Sequence, residues 1–315
     1  MRDSYEVAII GAGPAGLTAA LYASRAGLSV GLFEKEFAGG QLMLTELIDN
    51  YPGVPTSTAA FELADQMKKQ ALEFGAEMVL REIVGIDGLN EDRPKTLRLK
   101  DGTVTAESVI VATGAHPRRI GIPGEDKFWG KGVSACGTCD GHFYKGRDIV
   151  VVGGGDTAVE EATFLSRLVR KITLVHRRDR LRAAYTLQQR LMAAGDMITF
   201  EWDSVPIEIV GDDTVTGVNI KNVKTGEERF VACDGVFIFI GYIPNTELVR
   251  DHIETDQTGY IVTDDHMATS APGVFACGDV RQKLLRQIVT ACGDGATAAF
   301  AAQRYVDARK GTLYE

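Results

Sequence analysis

Cysteine, an excess of positive charge and long apolar runs are scarce or absent in this sequence of 315 residues, and each argues against a class of protein. Five cysteines are too few for a disulfide-rich scaffold of this length. The formal net charge of −9 argues against a nucleic-acid partner, which requires a basic face to displace counterions. The most apolar stretch, residues 236–240, has the length of a strand and is far shorter than the ~20 residues of a membrane span.

The beginning of the chain and its few cysteines indicate a location. The first predicted strand begins near Glu6, which leaves no room for a signal peptide before it. We therefore expect a reducing, cytoplasmic setting, in which a closely spaced cysteine pair requires a chemical explanation. The length predicts about two domains, with an ordinary globular composition of 45% hydrophobic and 24% charged residues.

The same structural unit occurs twice along the chain. In the first copy, a strand at 7–10 leads into a glycine-rich turn at 11–16. In the second copy, a strand at 149–152 leads into a turn at 153–158. In both copies, the end of the next strand lies 23 positions after the first glycine of the turn. Helices are predicted after the turns, from Leu17 to Ala26 and up to about Val169.

This strand–turn–helix–strand unit is typical of dinucleotide-binding folds. The first glycine permits the tight turn, the second lets the backbone approach a pyrophosphate, and the third small residue lets helix and strand pack closely. One such match could be a structural turn, but two matches at equal spacing predict two dinucleotide sites. The turn residues concerned are Gly11, Gly13, Ala15 and Gly16 in the first copy and Gly153, Gly155, Asp156 and Thr157 in the second.

In each copy, the residues at the end of the second strand predict which dinucleotide binds. Glu34 can accept hydrogen bonds from ribose hydroxyls, which suits FAD or NAD. His176, Arg177 and Arg178 suit a ribose 2′-phosphate, and Arg182 follows one helical turn later. The alternative is a solvated charged loop. We expect FAD at the first site and NADPH at the second.

Further flavoprotein signals lie on both sides of the second copy. A buried strand is predicted to close on the small-residue turn Ala112-Thr113-Gly114, and a similar pattern ends at Gly278-Asp279. Asp279 could meet a ribityl hydroxyl or the pyrophosphate, and a helix is predicted from about Arg286 to Tyr305.

The predicted fold class is α/β, with two Rossmann-like dinucleotide-binding domains. The NADPH domain, residues 118–246, is expected to be inserted in a discontinuous FAD domain made of residues 1–117 and 247–315. Both predicted connections contain a proline at a strand end, where the backbone can change direction.

Cys136 and Cys139 form the chemical centre of the sequence. Two intervening residues allow a small disulfide ring that opens and closes with little backbone change. Asp140 follows directly and could exchange the proton. One alternative role for the pair is zinc binding, but a structural zinc site needs four ligands and the sequence offers no second ligand pair. The other alternative is that both cysteines are reduced, inert thiols in the core. The remaining cysteines are single and are interpreted as small buried residues: Cys233, Cys277 and Cys292.

Over essentially its whole length, the sequence resembles the low-molecular-weight, bacterial-type NADPH-dependent thioredoxin reductases. The resemblance is carried by the dinucleotide turns, Gly39-Gly40-Gln41-Leu42, Asn50-Tyr51-Pro52-Gly53, Ala112-Thr113-Gly114-Ala115, Gly132-Val133-Ser134-Ala135-Cys136 through Gly141, His176-Arg177-Arg178-Asp179, Gly278-Asp279-Val280 and Arg286-Gln287. It implies a homodimeric flavoenzyme that reduces thioredoxin. Asp156 departs from the family, in which a neutral Asn or Ser is common at this position.

The resemblance also implies roles for individual residues. Cys139 would lie against the flavin, Cys136 would attack the disulfide of thioredoxin, and Asp140 would be the acid–base group. Arg177, Arg178 and Arg182 would hold the 2′-phosphate. Besides the first turn, the residues expected at FAD are Glu34, Lys35, Gly40, Gln41, Leu42, Asn50, Ala112, Thr113, Gly114, Gly278, Asp279, Arg286 and Gln287.

Other functions remain open from the sequence. A dithiol oxidase could have the same fold, and a reductase driven by ferredoxin or another donor would not need Arg177 and Arg178. A nucleotide-binding redox sensor without turnover is a further alternative from another class.

Overall fold

A computed structural model describes residues 1–44, 47–48 and 50–312 of the chain. The chain forms two compact units, unit 1 (Met1–His116 and Ile243–Glu315) and unit 2 (Pro117–Tyr242). Residues 313–315, at the end of the expected FAD domain, lie outside the described residues. Each unit combines helices with parallel strands.

The elements follow one another along the chain in three stretches. The first stretch of unit 1 contains β1 (Ser4–Ile10), α1 (Pro14–Arg25), β2 (Val30–Glu34), β3 (Leu47–Ile48), β4 (Thr58–Ala59), α2 (Ala60–Glu73), β5 (Glu77–Leu80), β6 (Ile83–Asp87), β7 (Lys95–Leu99), β8 (Gly102–Val111) and β9 (Ala115–Pro117). Unit 2 contains α3 (Glu125–Phe128), β10 (Val133–Ser134), α4 (Gly137–Asp140), β11 (Asp148–Gly153), α5 (Asp156–Leu165), β12 (Lys171–Val175), α6 (Tyr185–Met192), β13 (Ile198–Glu201), β14 (Ser204–Gly211), β15 (Val215–Asn222), β16 (Glu228–Ala232) and β17 (Gly235–Phe239). The chain returns through β18 (Tyr242–Pro244) to β19 (Val274–Ala276) and α7 (Ile288–Lys310). Strands β9 and β18 pair with each other where the chain passes between the units.

The sheet of unit 1 has the order β5-β2-β1-β8, and successive parts of β8 pair with β7 and β19. Along β1, Val7 and Ile9 pack in a core with α1 and α7, whereas Ala8 and Ile10 enter a core on the opposite face. Successive residues of a strand point to opposite faces, so this strand is buried on both sides. Burial on both faces explains why residues 7–10 are uniformly apolar.

The main sheet of unit 2 is parallel, with the order β10-β17-β11-β12-β13. Val151 of β11 packs on the side of helix α5, with Leu165. Val150 and Val152 pack on the other side, with residues of the separate antiparallel sheet β14-β15-β16. The sheet therefore lies between the helices and a second, smaller sheet.

Helix α5 ends earlier than the sequence pattern predicts, at Leu165 instead of about Val169. The hydroxyl group of Ser166 donates to the carbonyl of Thr163, 2.9 Å away. The amides of Leu168 and Val169 both donate to the Leu165 carbonyl, at 2.9 and 3.0 Å. A side-chain bond of this kind competes with the helical pattern, and the chain closes into a turn.

Helices α1 and α7 also differ from their predicted bounds. Helix α1 begins at Pro14 because a proline is tolerated in the first turn, where its missing N–H is not needed. Helix α7 begins at Ile288, and Gln287 and Thr290 form a capping box at its start. It continues to Lys310, five residues beyond the predicted end.

Helices α1 and α7 pack closely at Gly295. A Cβ atom on Gly295 would lie 2.2 Å from the carbonyl oxygen of Ala15. We expect Gly295→Ala to lower the free energy of unfolding in urea by about 1–3 kcal/mol, because backbone has to move.

Gly293 of the same helix provides the control, because no atom of the described residues, apart from its chain neighbours and the backbone of its own helix, lies within 4 Å of a Cβ built there. Gly293→Ala should raise the free energy of unfolding by about 0.5–1 kcal/mol, since alanine has the higher helix propensity. Equal effects of the two substitutions would contradict the packing explanation.

Candidate active site

The first glycine-rich turn lies against the 3-10 helix Gly40–Leu44. The amide of Gly39 donates to the carbonyl of Ala12 at 2.8 Å, and a Cβ on Gly40 would lie 3.1 Å from the Cα of Gly13. Gly13 is the N-cap of α1, and because glycine has no side chain it cannot cap the first amides of the helix. These amides border the space beside the turn. This arrangement suits a phosphate group.

Gly11 and Gly16 shape the same turn from the inside. Gly11 has a φ of +104°, and a Cβ on it would lie 2.4 Å from the carbonyl oxygen of Ala112. A Cβ on Gly16 would lie 1.8 Å from the carbonyl oxygen of Gly11. Only glycine fits at either position, as the dinucleotide-fold pattern predicts.

The carboxylate of Glu34 is held beside this turn. Its Oε2 accepts a hydrogen bond from the amide of Ala12 at 2.9 Å, and its Oε1 accepts one from the amide of Lys35 at 2.8 Å. A carboxylate has about four acceptor positions, so ribose hydroxyls could still donate to it.

Asp279 and Arg286 each have a buried polar atom without a hydrogen-bond partner among the described residues: Oδ1 of Asp279 and Nε of Arg286. Burial raises the pKa of the Asp279 carboxyl group, against the opposite effects of Lys283 and Arg286. The Arg286 guanidinium lies 4.0 Å from the ring centroid of Tyr260. Buried polar groups are normally paired, so these atoms indicate a polar ligand.

The other residues expected at FAD lie in unit 1 in varied surroundings. The side-chain amide of Asn50 donates to Oε1 of Gln287 at 3.0 Å. The hydroxyl of Thr113 donates to the carbonyl of Asn245 at 2.6 Å. Ala15 packs against Gly278, because a Cβ built on Gly278 would lie 2.7 Å from the Cβ of Ala15. Leu42 and Ala112 are buried, Gly114 is half-buried, and Lys35 and Gln41 are exposed.

Asp294 of helix α7 is a residue of this region that the sequence analysis missed. Its Oδ2 accepts hydrogen bonds from Nζ of Lys283 at 2.7 Å and from the amide of Gly278 at 3.1 Å. The guanidinium of Arg281 lies 3.4 Å from both carboxylate oxygens. All three charged side chains are largely buried. The cluster therefore fixes the loop that carries Asp279.

We expect Asp294→Asn to lower the free energy of unfolding by about 3 kcal/mol, because two largely buried cations would lose their counter-ion. Urea unfolding of the protein measures the change. The half-exposed Asp307 of the same helix is the control, and Asp307→Asn should change the free energy by no more than about 0.5 kcal/mol. A similar loss in both variants would contradict a specific role of the cluster.

The second glycine-rich turn repeats the geometry of the first in unit 2. Gly153 has a φ of +150°, and a Cβ on it would lie 2.5 Å from the carbonyl oxygen of Phe239. Gly155 is the N-cap of α5, without a side-chain capping bond. Oδ1 of Asp156 accepts from the amide of Ala184 at 2.7 Å, so this carboxylate holds the loop after β12 and not the helix amides. Thr157 is exposed.

The structure separates His176 from the arginines that follow it. The His176 side chain is buried, and a Cβ on Gly154 would lie 2.4 Å from its ring. Burial lowers its pKa, as do Arg178, Arg182 and Arg177, so the ring is a neutral packing element beneath the turn. Its Nε2 is buried without a hydrogen-bond partner among the described residues, and the place of His176 in the phosphate-binding group stays a prediction.

The three arginines expected at the phosphate remain on the surface. Arg177, Arg178 and Arg182 are exposed, and within residues 1–44, 47–48 and 50–312 none of them forms a salt bridge. The amide of Arg182 donates to the carbonyl of Gly154 at 2.7 Å, and its guanidinium lies 3.6 Å from a Cβ built on Gly155. The loop thus brings a cation to the second turn.

Cys136 and Cys139 are joined by a disulfide, with a Cα–Cα distance of 5.3 Å, so they are not the reduced core thiols of the alternative interpretation. Cys136 is the N-cap of α4, and its Sγ accepts from the amide of Cys139 at 3.2 Å. The Ser134 hydroxyl accepts from the Cys136 amide at 3.0 Å. Both cysteines and Asp140 are half-buried, which leaves the pair accessible.

The single cysteines differ from this pair. Cys233 and Cys277 are buried, and burial raises the pKa of Cys233 to about 12 and that of Cys277 further. Cys292 is half-buried, and the Tyr51 hydroxyl donates toward its Sγ at 3.7 Å. High thiol pKa values make Cys233 and Cys277 unreactive, as expected for small buried residues.

Glu161 is a second residue that the sequence analysis missed. It lies on α5, and its Oε2 would be 2.2 Å from a Cβ on Gly137 of the redox turn. A signal was present, because Glu161 lies on the helix face of the buried residues Ala158, Ala162 and Leu165. A charged residue at an apolar position of a helix marks a site to inspect.

The chain belongs to the pyridine nucleotide-disulphide oxidoreductase family, which it matches over residues 5–295. The two glycine-rich turns and the Cys136–Cys139 disulfide of this chain agree with that description. Within it, the chain is 48% identical to a thioredoxin reductase of Treponema pallidum over 307 residues, which cover 98% of this chain and 99% of that protein. It is 47% identical to a thioredoxin reductase of Listeria monocytogenes, over 98% and 96% of the two chains.

A solved structure gives the same relationship in three dimensions. The crystal structure of thioredoxin reductase from Streptococcus pyogenes has a TM-score of 0.91 to this chain at 47% identity, covering 98% of this chain and 100% of the other. These comparisons confirm the predicted fold class and the family resemblance. They also confirm the predicted enzyme class, a flavoprotein disulfide oxidoreductase, and its cofactors, FAD and NADPH. None of the described helices is long and apolar enough to cross a membrane.

Proposed function

We propose that the protein reduces oxidised thioredoxin with electrons that pass from NADPH through FAD to the Cys136–Cys139 disulfide. The observation that carries this function is the accessible disulfide, closed over two residues, in the same unit as an arginine-rich dinucleotide turn. The high identity to thioredoxin reductases over nearly the whole chain supports thioredoxin as the substrate.

The residues of unit 1 fit FAD. The space beside Gly13 and Gly40 would receive the pyrophosphate, and Glu34 would accept from the ribose of the adenosine. The unpaired polar atoms of Asp279 and Arg286 would find partners on the cofactor. We assign FAD to unit 1, together with the expected residues that the sequence analysis named there.

The residues of unit 2 fit NADPH. The turn at Gly153–Gly155 would face the pyrophosphate, and the free guanidinium groups of Arg177, Arg178 and Arg182 would pair with the 2′-phosphate. His176 lies beneath Gly154 with a buried, unpaired Nε2, so it would line the site as a neutral ring and not pair with the phosphate as a cation. When bound, NADPH would supply a hydride, and FAD would relay its two electrons to the disulfide.

The geometry of the redox turn supports the roles that the resemblance implies for the two sulfurs. When the disulfide opens, a thiolate at Cys136 would keep the hydrogen bond from the amide of Cys139 and be stabilised by it. We therefore assign the attack on thioredoxin to Cys136 and the contact with the flavin to Cys139. Asp140 directly follows the pair and is the proposed acid–base group.

The same resemblance supports a proposal for the oligomeric state and the location. We propose a homodimer in the cytoplasm, where a reducing environment would keep the single thiols free. Sedimentation of the purified protein would test the dimer.

The test mixes the FAD-loaded protein with NADPH and thioredoxin and counts the thiols formed. We expect two thioredoxin thiols for each NADPH oxidised, with no oxygen consumed. NADPH oxidation that consumes oxygen without producing thiols would identify a dithiol oxidase. Turnover with reduced ferredoxin but not with NADPH would identify a different electron donor. Either result would refute the proposed function.

A further inference from the structure

Glu161 places a carboxyl group inside unit 2, directly behind the redox turn. Its Oε2 is buried and has no hydrogen-bond partner in the described part of the chain. A Cβ on Gly137 would lie 2.2 Å from this atom and 3.3 Å from the Leu165 side chain, so the turn packs tightly on the carboxyl group. An apolar residue of the same size would fill this space without the free-energy cost of burying a polar group.

The surroundings of Glu161 make its protonation sensitive to charge. Burial raises the pKa of its carboxyl group, the amides of Gly137 and Thr138 act against this rise, and Glu160 adds to it. Strands β11 and β17 beneath the helix present the apolar Val151 and Phe237. The other titratable or charged side chains on the elements packed against α5 are Cys136, Cys139, Asp140, Asp148 and the exposed Tyr185 and Arg190, and His142 and Tyr144 follow directly after α4.

We propose that Glu161 is a positioning residue for the redox turn and that its carboxylate binds a proton when the Cys136–Cys139 disulfide is reduced. The inference rests on the redox role proposed above for this pair. Reduction breaks the S–S bond with two electrons from NADPH or an added dithiol. One proton goes to one sulfur, and the other sulfur, that of Cys136, becomes a thiolate held by the Cys139 amide.

The new negative charge lies on the turn that the Glu161 side chain contacts. A second proton, taken from solvent, neutralises the carboxylate and removes the repulsion between like charges. At low pH the carboxyl group is protonated in both redox states, and at high pH it is ionised in both. Between these limits reduction of the pair takes up the extra proton, and above them the ionised carboxylate opposes the thiolate and disfavours reduction.

The experiment equilibrates the FAD-loaded protein with oxidised and reduced dithiothreitol over a series of pH values. Alkylation and mass spectrometry then give the fraction of Cys136 and Cys139 present as dithiol. Wild type and Glu161→Gln should agree at the acid end. They should separate as the pH rises, until the variant has a dithiol-to-disulfide ratio about tenfold higher, the effect of one pKa unit of coupling.

The exposed Glu160 provides the matched control on the same helix. Glu160→Gln should change the ratio by less than about twofold at every pH, because solvent screens an exposed charge. A ratio between Glu161→Gln and wild type that is constant with pH would show a packing role only and overturn the proposal. A ratio of one at every pH would overturn it as well.

Two further measurements keep the test decisive. Glu161→Asp retains a carboxyl group and should retain the pH-dependent separation from Glu161→Gln. If the glutamine variant does not fold, infrared difference spectra of the wild type and Glu161→Asp should show a protonated carboxyl band that appears on reduction and shifts in the variant. A spectrum without this band refutes the proposal.

Neither thioredoxin nor NADPH takes part in these measurements. A protein that shows the pH-dependent separation but does not reduce thioredoxin would refute the proposed function and support the role of Glu161. A protein that reduces thioredoxin but shows no pH-dependent separation between wild type and Glu161→Gln would support the proposed function and refute the role of Glu161.

Discussion

Cys139→Ser should abolish thioredoxin reduction while the reduction of bound flavin by NADPH continues. The serine hydroxyl cannot form or open a disulfide, so electrons on the flavin have no protein acceptor. The loss in kcat should be on the order of 10⁴-fold or more, as for removal of a catalytic nucleophile. Stopped-flow absorbance measures flavin reduction, and thiol production in the steady state measures turnover. Cys136→Ser should have the same effect on turnover.

Cys233 is the control for this prediction because it lies in the same unit but is buried. Burial raises the pKa of its thiol to about 12, so it remains protonated at neutral pH. Cys233→Ala should leave turnover within about twofold of the wild type, although it could lower stability by about 1 kcal/mol. Thioredoxin reduction that persists in Cys139→Ser would refute the redox role of the pair.

The double variant Arg177→Ala, Arg178→Ala should lose most of its preference for NADPH over NADH. Each guanidinium group is exposed, and each would contribute a charge-assisted bond to the 2′-phosphate worth about 1.5–3 kcal/mol. We expect kcat/KM for NADPH to fall by about 100-fold or more, mostly through KM, with little change for NADH. Steady-state rates with both cofactors measure the ratio.

Arg180 supplies a matched control from the same exposed loop, because it was not expected to contact the phosphate. Arg180→Ala removes one positive charge and should change kcat/KM for NADPH by only a few-fold, through the weaker general attraction. Equal losses in Arg180→Ala and the double variant would mean that overall charge, and not pairing with the 2′-phosphate, governs the preference.

Much of the fold could be predicted because its signals are local. The strand at 7–10 is uniformly apolar since both of its faces are buried, and the glycines at 11 and 153 are required by the turns themselves. The CxxC pair identified the chemistry for the same reason, because ring closure over two residues depends on neighbours in the chain. Helix ends were less well predicted, as at Leu165, where one hydroxyl bond ends the helix.

Side chains whose roles depend on distant neighbours could not be placed from the sequence. His176 belongs to a charged sequence run, yet its ring is buried against Gly154, 22 residues earlier in the chain. Asp156 occupies the second turn, yet it binds the amide of Ala184.

The sequence alone determined the two dinucleotide units and the redox disulfide, and it predicted a cofactor for each unit. Each of these depends on residue types at short, fixed spacings, which a linear pattern preserves. Tertiary structure decided which charges are buried: the carboxylate of Asp294 among two cations, and the carboxyl group of Glu161 behind the redox turn. Their burial depends on segments that meet only when the chain folds, and it is burial that makes their charges consequential.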